Sequence, residues 1–256
     1  MRWKMISASI NNDLIVACGG INFLGDPKTD CWKLDFTFSK PRWTSMQSLS
    51  GEDGARQQNI LTKNFLSVPR DAAGWAAEQG KLYVMGGSLG TLSGYTASTE
   101  VYDPATDTWS VGVSLTTTRA SHCAVGDGEG NIIVTGGYGA LDLVQRLHLS
   151  SGRWTRLADL QPVRAQHGCA LVTLRGEKGV MVVGGDSGGT RLSDVRFLPL
   201  DVPSRLQTWT KIADLKIARW GRPSVGLIGG RVTVIGGWDG VKTLNSVETY
   251  DEKNGR

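Results

Sequence analysis

Apolar residues fall in short runs along this chain, and five of the runs close on a pair of glycines. They are Leu14 to Cys18 before Gly19 and Gly20, Leu82 to Met85 before Gly86 and Gly87, Ile132 to Thr135 before Gly136 and Gly137, Val180 to Val183 before Gly184 and Gly185, and Val232 to Ile235 before Gly236 and Gly237. A short apolar run bounded by turn residues reads as a buried strand. The first glycines lie 67, 50, 48 and 52 residues apart, so a repeat of about 50 residues organises the chain.

Two further anchors recur with the glycines. Trp43, Trp109, Trp154 and Trp209 are each followed six residues later by a leucine: Leu49, Leu115, Leu160 and Leu215. An even interval puts both side chains on one face of a strand. Arginine follows that leucine by four residues at Arg119, Arg164 and Arg219, and Arg70 follows Leu66 in the same way. The odd spacing of 67 is thus a normal repeat carrying an insertion of 17 residues between Leu49 and Leu66. The repeats span about 2–49, 66–118, 119–163, 164–218 and 219–256, with the insertion at 50–66.

Each repeat reads as four short strands, here a to d. Strand a follows the arginine (Ser121 to Val125, Cys169 to Thr173, Ser224 to Leu227), and tight turns such as Gln79-Gly80 and Gly229-Gly230 lead into strand b with its glycine pair. Strand c covers Glu100 to Tyr102, Val195 to Leu198 and Val247 to Tyr250, and strand d carries the tryptophan. The last repeat stops before its tryptophan, which predicts five blades, the fifth with three strands and an open outer edge, and either a natural product that continues past Arg256 or a fragment of a larger ring.

Apolar run plus Gly-Gly, then Glu100-Val-Tyr-Asp103, echoed by Val247-Glu-Thr-Tyr-Asp251, then tryptophan, resembles the kelch repeat. The resemblance covers nearly the whole chain and implies an all-β fold, a kelch-type β-propeller of four-stranded antiparallel blades in one domain over 1–256. The physics agrees. A twisted four-stranded sheet cannot bury both faces alone, so blades stack, and a repeated tryptophan supplies a large apolar contact between them. The glycine pairs fit strand ends where another backbone comes close, since glycine accepts positive φ and has no side chain to collide. These glycines and tryptophans are scaffold.

Composition narrows the function. The net charge of +4 is spread without runs of like charge or basic-aromatic alternation, which argues against nucleic acid as a partner. No apolar stretch is long enough for a membrane helix, and residues 1–20 lack the pattern of a signal peptide. None of the four cysteines sits in a zinc spacing, and no metal or other cofactor is expected. Cys123 and Cys169, at similar places in two repeats, are expected as small buried residues, whereas Cys18 and Cys31 flank one turn and can pair in an oxidising compartment. The absence of any Asn-x-Ser/Thr acceptor leans toward the cytoplasm, with an extracellular location as the alternative.

The candidate chemistry is recognition. His122, His148 and His167 lie in three different strands with no acidic cluster near them in sequence, so no catalytic residue is assigned. His122 and His167 follow Arg119 and Arg164 by three residues, and Arg222 holds the same place after Arg219. Either they hydrogen-bond the start of strand a, or they rim the channel mouth where, by the kelch resemblance, d–a and b–c loops converge and peptides are gripped. In the second case Arg119, Arg164, Arg219, Arg222, His122 and His167 make a positive mouth that favours an acidic or phosphorylated peptide. The b–c loops, 21–30, 88–98, 138–143, 186–193 and 238–245, add Tyr95, Tyr138, Asp186, Arg191, Trp238 and Asp239. The insertion is expected to lie over this face.

The expected function is therefore a non-catalytic module that binds a protein or peptide. The kelch-like resemblance implies a substrate receptor of a cullin ubiquitin-ligase adaptor or an actin-associated protein, although no BTB-like region is present in these 256 residues. The alternatives are a sugar-acting or metal-dependent propeller enzyme and an extracellular structural kelch protein.

Overall fold

The computed structural model describes residues 6–11, 14–18, 31–35, 43–46, 66, 68–90 and 94–251. Glycines Gly19 and Gly20, the insertion apart from Leu66, and the loop at 21–30 lie outside them, as do the side chains of Trp43 and Cys18. The chain divides into two compact units, Met1–Ala120 and Ser121–Arg256.

In the first unit, β1 (Ile6–Asn11), β2 (Leu14–Cys18), β3 (Cys31–Asp35) and β4 (Trp43–Met46) form one antiparallel sheet in sequence order. A second holds β5 (Gly74–Glu78), β6 (Lys81–Met85), β7 (Thr99–Asp103) and β8 (Thr108–Val111). The two share a core of Val16, Cys31, Leu66, Ala73, Leu82, Val84 and Tyr102, with Trp109 packed against it. Trp109 also meets the Tyr102 ring at 5.3 Å, which fits its expected place as packing material.

The second unit repeats the plan. One sheet holds β9 (Cys123–Gly126), β10 (Asn131–Thr135), β11 (Val144–His148) and β12 (Arg153–Arg156). The next holds β13 (Gly168–Leu174), β14 (Glu177–Val183), β17 (Asp194–Pro199) and β18 (Thr210–Asp214), with a small hairpin, β15 (Asp186–Ser187) and β16 (Thr190–Arg191), set between β14 and β17. A final sheet holds β19 (Ser224–Ile228), β20 (Arg231–Ile235) and β21 (Val247–Thr249). Ile133, Val144, Leu160, Val180, Val182 and Leu198 fill the space between the first two, where Trp209 packs and donates its indole N–H to the Ala158 carbonyl at 2.9 Å. Met181, Val183, Val195, Phe197, Val232 and Val234 fill the space between the second and the third.

The fold is an all-β propeller type whose sheets are blades. Complete four-stranded blades number four, against five repeats marked in the sequence, because the last repeat forms a three-stranded sheet among the described residues. Among the described residues, Ile235 and Val247 are 42% and 57% exposed, whereas Val183 and Val195, at the same register in the preceding blade, are 0% and 7%.

Turn chemistry explains the tight hairpins. Gln79-Gly80, Arg175-Gly176 and Gly229-Gly230 all have positive φ at both positions, the left-handed pair that matches strand twist in a two-residue turn. Gly185 has φ +106°, and a β-carbon there would sit 2.8 Å from the Ala165 carbonyl oxygen, closer than any side chain tolerates.

One expectation is corrected here. Cys123 and Cys169 do pack in the blade interface, but they are joined as a disulfide between β9 and β13, with Cα atoms 6.0 Å apart. Similar places in successive repeats fall on facing strands of neighbouring blades, and that separation suits the bond. Cys31 is also disulfide-bonded, and its backbone register partner is Cys18. Among the described residues no helix is long and apolar enough to cross a membrane.

Candidate functional site

The repeat arginines hold the scaffold from inside. Arg70, Arg119, Arg164 and Arg219 are fully buried, so they are not the positive mouth expected from their spacing. Arg70 donates Nη1 to the carbonyls of Gly86 (2.9 Å) and Ser98 (2.8 Å), and Nη2 to Ser98 Oγ and Glu100 Oε1, each 2.8 Å. Arg164 does the same with Gly184 O at 3.0 Å, Asp194 O at 3.2 Å and the Asp194 carboxylate. Arg219 reaches Gly236 O at 2.9 Å, Ser246 Oγ at 3.2 Å and the Glu248 carboxylate. Each guanidinium thus ties the first glycine's carbonyl to the segment entering strand c. Five donors in a rigid fork allow this; an ammonium could not match it. Burial lowers the pKa of Arg70 and Arg164, and Glu100 and Asp194 pull each back up. Gln145, also buried, holds in β11 the register position of Glu100 and Glu248.

Neither His122 nor His167 presents a ring to solvent. His167 Nε2 lies 2.8 Å from Thr135 Oγ1 at the end of β10, tying strand a of one blade to strand b of its neighbour. Burial, with the charges of Arg164 and Arg222 adding to it, lowers the His167 pKa to about 3. The unfolded imidazole takes up a proton below about pH 6.5, which the folded one refuses until about pH 3. Stability is therefore lost as pH falls through that window, by at most about 1.4 kcal/mol per pH unit from this group. Urea midpoints measured at pH 7, 5.5 and 4 are expected to fall more steeply in the native protein than in His167→Asn; equal slopes would contradict this.

The residues at the surface come from the turns around these anchors. Ser121, Gln166 and Arg222, shortly after their repeat arginines, have φ of 55°, 55° and 61°. Their backbones form a relay: Gln166 N donates to Ser121 O and Arg222 N to Gln166 O, both at 2.8 Å. Left-handed backbone at non-glycine residues persists only where the surroundings fix it. Tyr138, Asp186 and Trp238 each follow a glycine pair, and bridges Ala165–Asp186 and Trp220–Trp238 hold two of them to the arginine segment of their own repeat.

These residues converge across three sheets. Gln166 Nε2 donates to Tyr138 Oη at 2.7 Å, and Tyr138 Oη donates to Asp186 Oδ2 at 3.3 Å. Asp186 pairs in backbone register with Arg191, whose guanidinium lies 5.9 Å from the Trp238 ring centre. The Trp238 ring in turn sits 5.2 Å from that of Trp220. Asp186 is buried, Arg191 is exposed, and Gln166, Tyr138, Arg222, Trp220 and Trp238 are half-buried. Of the sequence-predicted residues the structure brings together Tyr138, Arg191 and Trp238. Tyr95, 40% exposed and bridged to Ser88, belongs to the first unit. Gln166 and Trp220 were not marked by the sequence, because their places vary in identity from repeat to repeat. The assembled groups offer stacking faces, hydrogen bonds and one exposed cation. No group of three or more His, Cys, Asp or Glu among the described residues is arranged for a metal ion.

The Kelch motif family model matches residues 79–116 and 219–256. This chain carries kelch motifs on a β-propeller fold. The chain is 35% identical over 111 residues to human Kelch-like protein 35, covering 43% of this chain and 17% of that one. Human Kelch-like protein 6 is 48% identical over 48 residues, 19% of this chain and 8% of that one. Rat Kelch-like protein 24 is 35% identical over 104 residues, 40% and 15%. The chain thus spans less than a fifth of the length of these curated relatives. A solved structure of YjhT superposes with a TM-score of 0.68 at 19% identity over 92% of this chain and 72% of that one, a likeness of fold.

Proposed function

We propose that this propeller is a non-catalytic interaction module that binds a peptide or protein segment on the loops of its second unit. The observation that carries the reading is the continuous line Gln166, Tyr138, Asp186, Arg191, Trp238 and Trp220, in which side chains from three sheets present aromatic and polar groups together. Exposed aromatics and arginines on loops fixed by a rigid scaffold are the usual anchors of protein binding. An enzyme would need uncommitted acid or base groups here. Asp186 and Asp239 instead accept hydrogen bonds from Tyr138, Gly189, Val241 and Lys242.

For the whole protein, the kelch-like likeness supports a substrate receptor of a ubiquitin-ligase adaptor or an actin-associated protein in the cytoplasm. One observation favours the extracellular alternative: the Cys123–Cys169 bridge, since disulfides persist mainly in oxidising compartments.

Selection of a random peptide phage library on the intact protein tests the binding face. Enriched peptides are expected to bind Trp238→Ala and Gln166→Ala at least about tenfold more weakly, as loss of an interface anchor does. Leu206→Ala and Ile228→Ala, exposed in the second unit and away from this line, should bind as the native protein does. Equal binding by all four variants would overturn the reading.

A further inference from the structure

The charge on Arg191 is left over by the local chemistry. Asp186, its backbone partner across the β15–β16 hairpin, has both carboxylate oxygens engaged elsewhere: Oδ1 accepts the Gly189 N–H at 3.0 Å and Oδ2 the Tyr138 hydroxyl. The Asp239 carboxylate, in the facing loop, accepts the N–H groups of Val241 and Lys242 at 2.8 Å each, and these bonds hold its pKa below the usual carboxylate range. Arg191 has no hydrogen-bond or carboxylate partner among the described residues.

Its place is nevertheless defined by two neighbours. Gly188 and Gly189, at φ 61° and 89°, turn the hairpin tightly and aim β16 at the next loop. The guanidinium there lies over Trp238 and against Gly240, where any side chain would collide with it. Cation–π attraction uses the charge and none of the N–H donors, so the contact with the indole places the fork without occupying it. Val241, 88% exposed, stands in the same loop as Trp238 and adds apolar surface.

We propose that Arg191, laid over Trp238 beside Trp220, is the anchor for an oxyanion on the partner segment, a carboxylate or a phosphate, with an aromatic or large apolar residue next to it that packs on the indoles. This rests on the binding face proposed above and assigns its chemistry. The acidic preference expected from the repeat arginines thus passes to a different residue, one that is exposed.

The test uses three capped dipeptides, acetyl-Glu-Phe-amide, acetyl-Gln-Phe-amide and acetyl-phosphoSer-Phe-amide, titrated into the protein while the indole N–H signals of Trp220 and Trp238 are followed by NMR. Assignment comes from Trp220→Phe and Trp238→Phe. The glutamate and phosphoserine peptides are expected to bind about tenfold more tightly than the glutamine peptide, as a charge-assisted bond outweighs a neutral one. Their ratio identifies the source of the oxyanion. In Arg191→Met the three should become equal, and Arg191→Lys should recover only part of the difference. Equal binding of all three to the native protein, with no change in Arg191→Met, would overturn this inference while leaving the binding face intact. If no peptide shifts either indole, the anchor is likewise refuted, and the phage selection decides separately whether the face binds protein.

Discussion

Replacing Arg164 with methionine is expected to destabilise the protein by about 3–5 kcal/mol, the range for removing one partner of a buried, hydrogen-bonded ion pair. The substitution leaves the Gly184 carbonyl without its arginine donor, the Asp194 carbonyl with only the Gly184 N–H, and the Asp194 carboxylate with only Arg196 Nε at 3.1 and 3.0 Å. Lysine should recover little of the loss, since it cannot span two carbonyls and a carboxylate in one plane. Arg156, paired with Asp159 on the surface and 60% exposed, is the control: Arg156→Ala should leave the denaturation midpoint nearly unchanged, since exposed ion pairs are screened by water. Chemical denaturation of the three variants checks this. A loss below about 1 kcal/mol in Arg164→Met would return the repeat arginines to the list of binding residues.

Removal of the Cys123–Cys169 bridge is the second large effect. The bond spans 46 residues and links strand a of neighbouring blades, so by chain entropy it contributes about 4 kcal/mol. The double variant Cys123→Ala with Cys169→Ala should lose about 2–4 kcal/mol. Dithiothreitol should lower the melting temperature of the native protein more than that of the variant, because only the former has this bond to lose. Alkylation of the denatured, non-reduced protein, followed by mass spectrometry, should leave Cys123 and Cys169 unmodified. Their full alkylation, with equal sensitivity of both proteins to reductant, would show that the bridge does not form.

The scaffold was legible because its signals are local. Gly-Gly at a strand end and Gly-rich two-residue turns have few good backbone solutions, and strands a to c appear where these markers put them; the strands near the tryptophans are shorter than expected, and Leu115, Leu160 and Leu215 lie past their ends. The role of the arginines was harder to read, since a recurring cation has the same spacing whether it faces solvent or the interior. The distinguishing signal was present nonetheless. An acid follows Arg70, Arg164 and Arg219 by 30, 30 and 29 residues, an interval that only an internal pair would keep. Arg119 lacks such an acid, and Gln145 holds the register place instead. The binding line was only half visible, because what repeats at Ser121, Gln166 and Arg222 is a backbone angle while the side chains differ. The disulfide escaped notice because two cysteines a repeat apart look the same whether packed or bonded.

Hydrogen exchange with and without the tightest peptide from the phage selection tests the central claim most directly. Peptide binding is expected to slow exchange in the loops at 138–143, 186–193 and 238–245 and to leave the Arg175-Gly176 and Gly229-Gly230 turns unchanged. Protection confined to those turns, with the three loops exchanging as before, would contradict the assignment of this face as the binding surface.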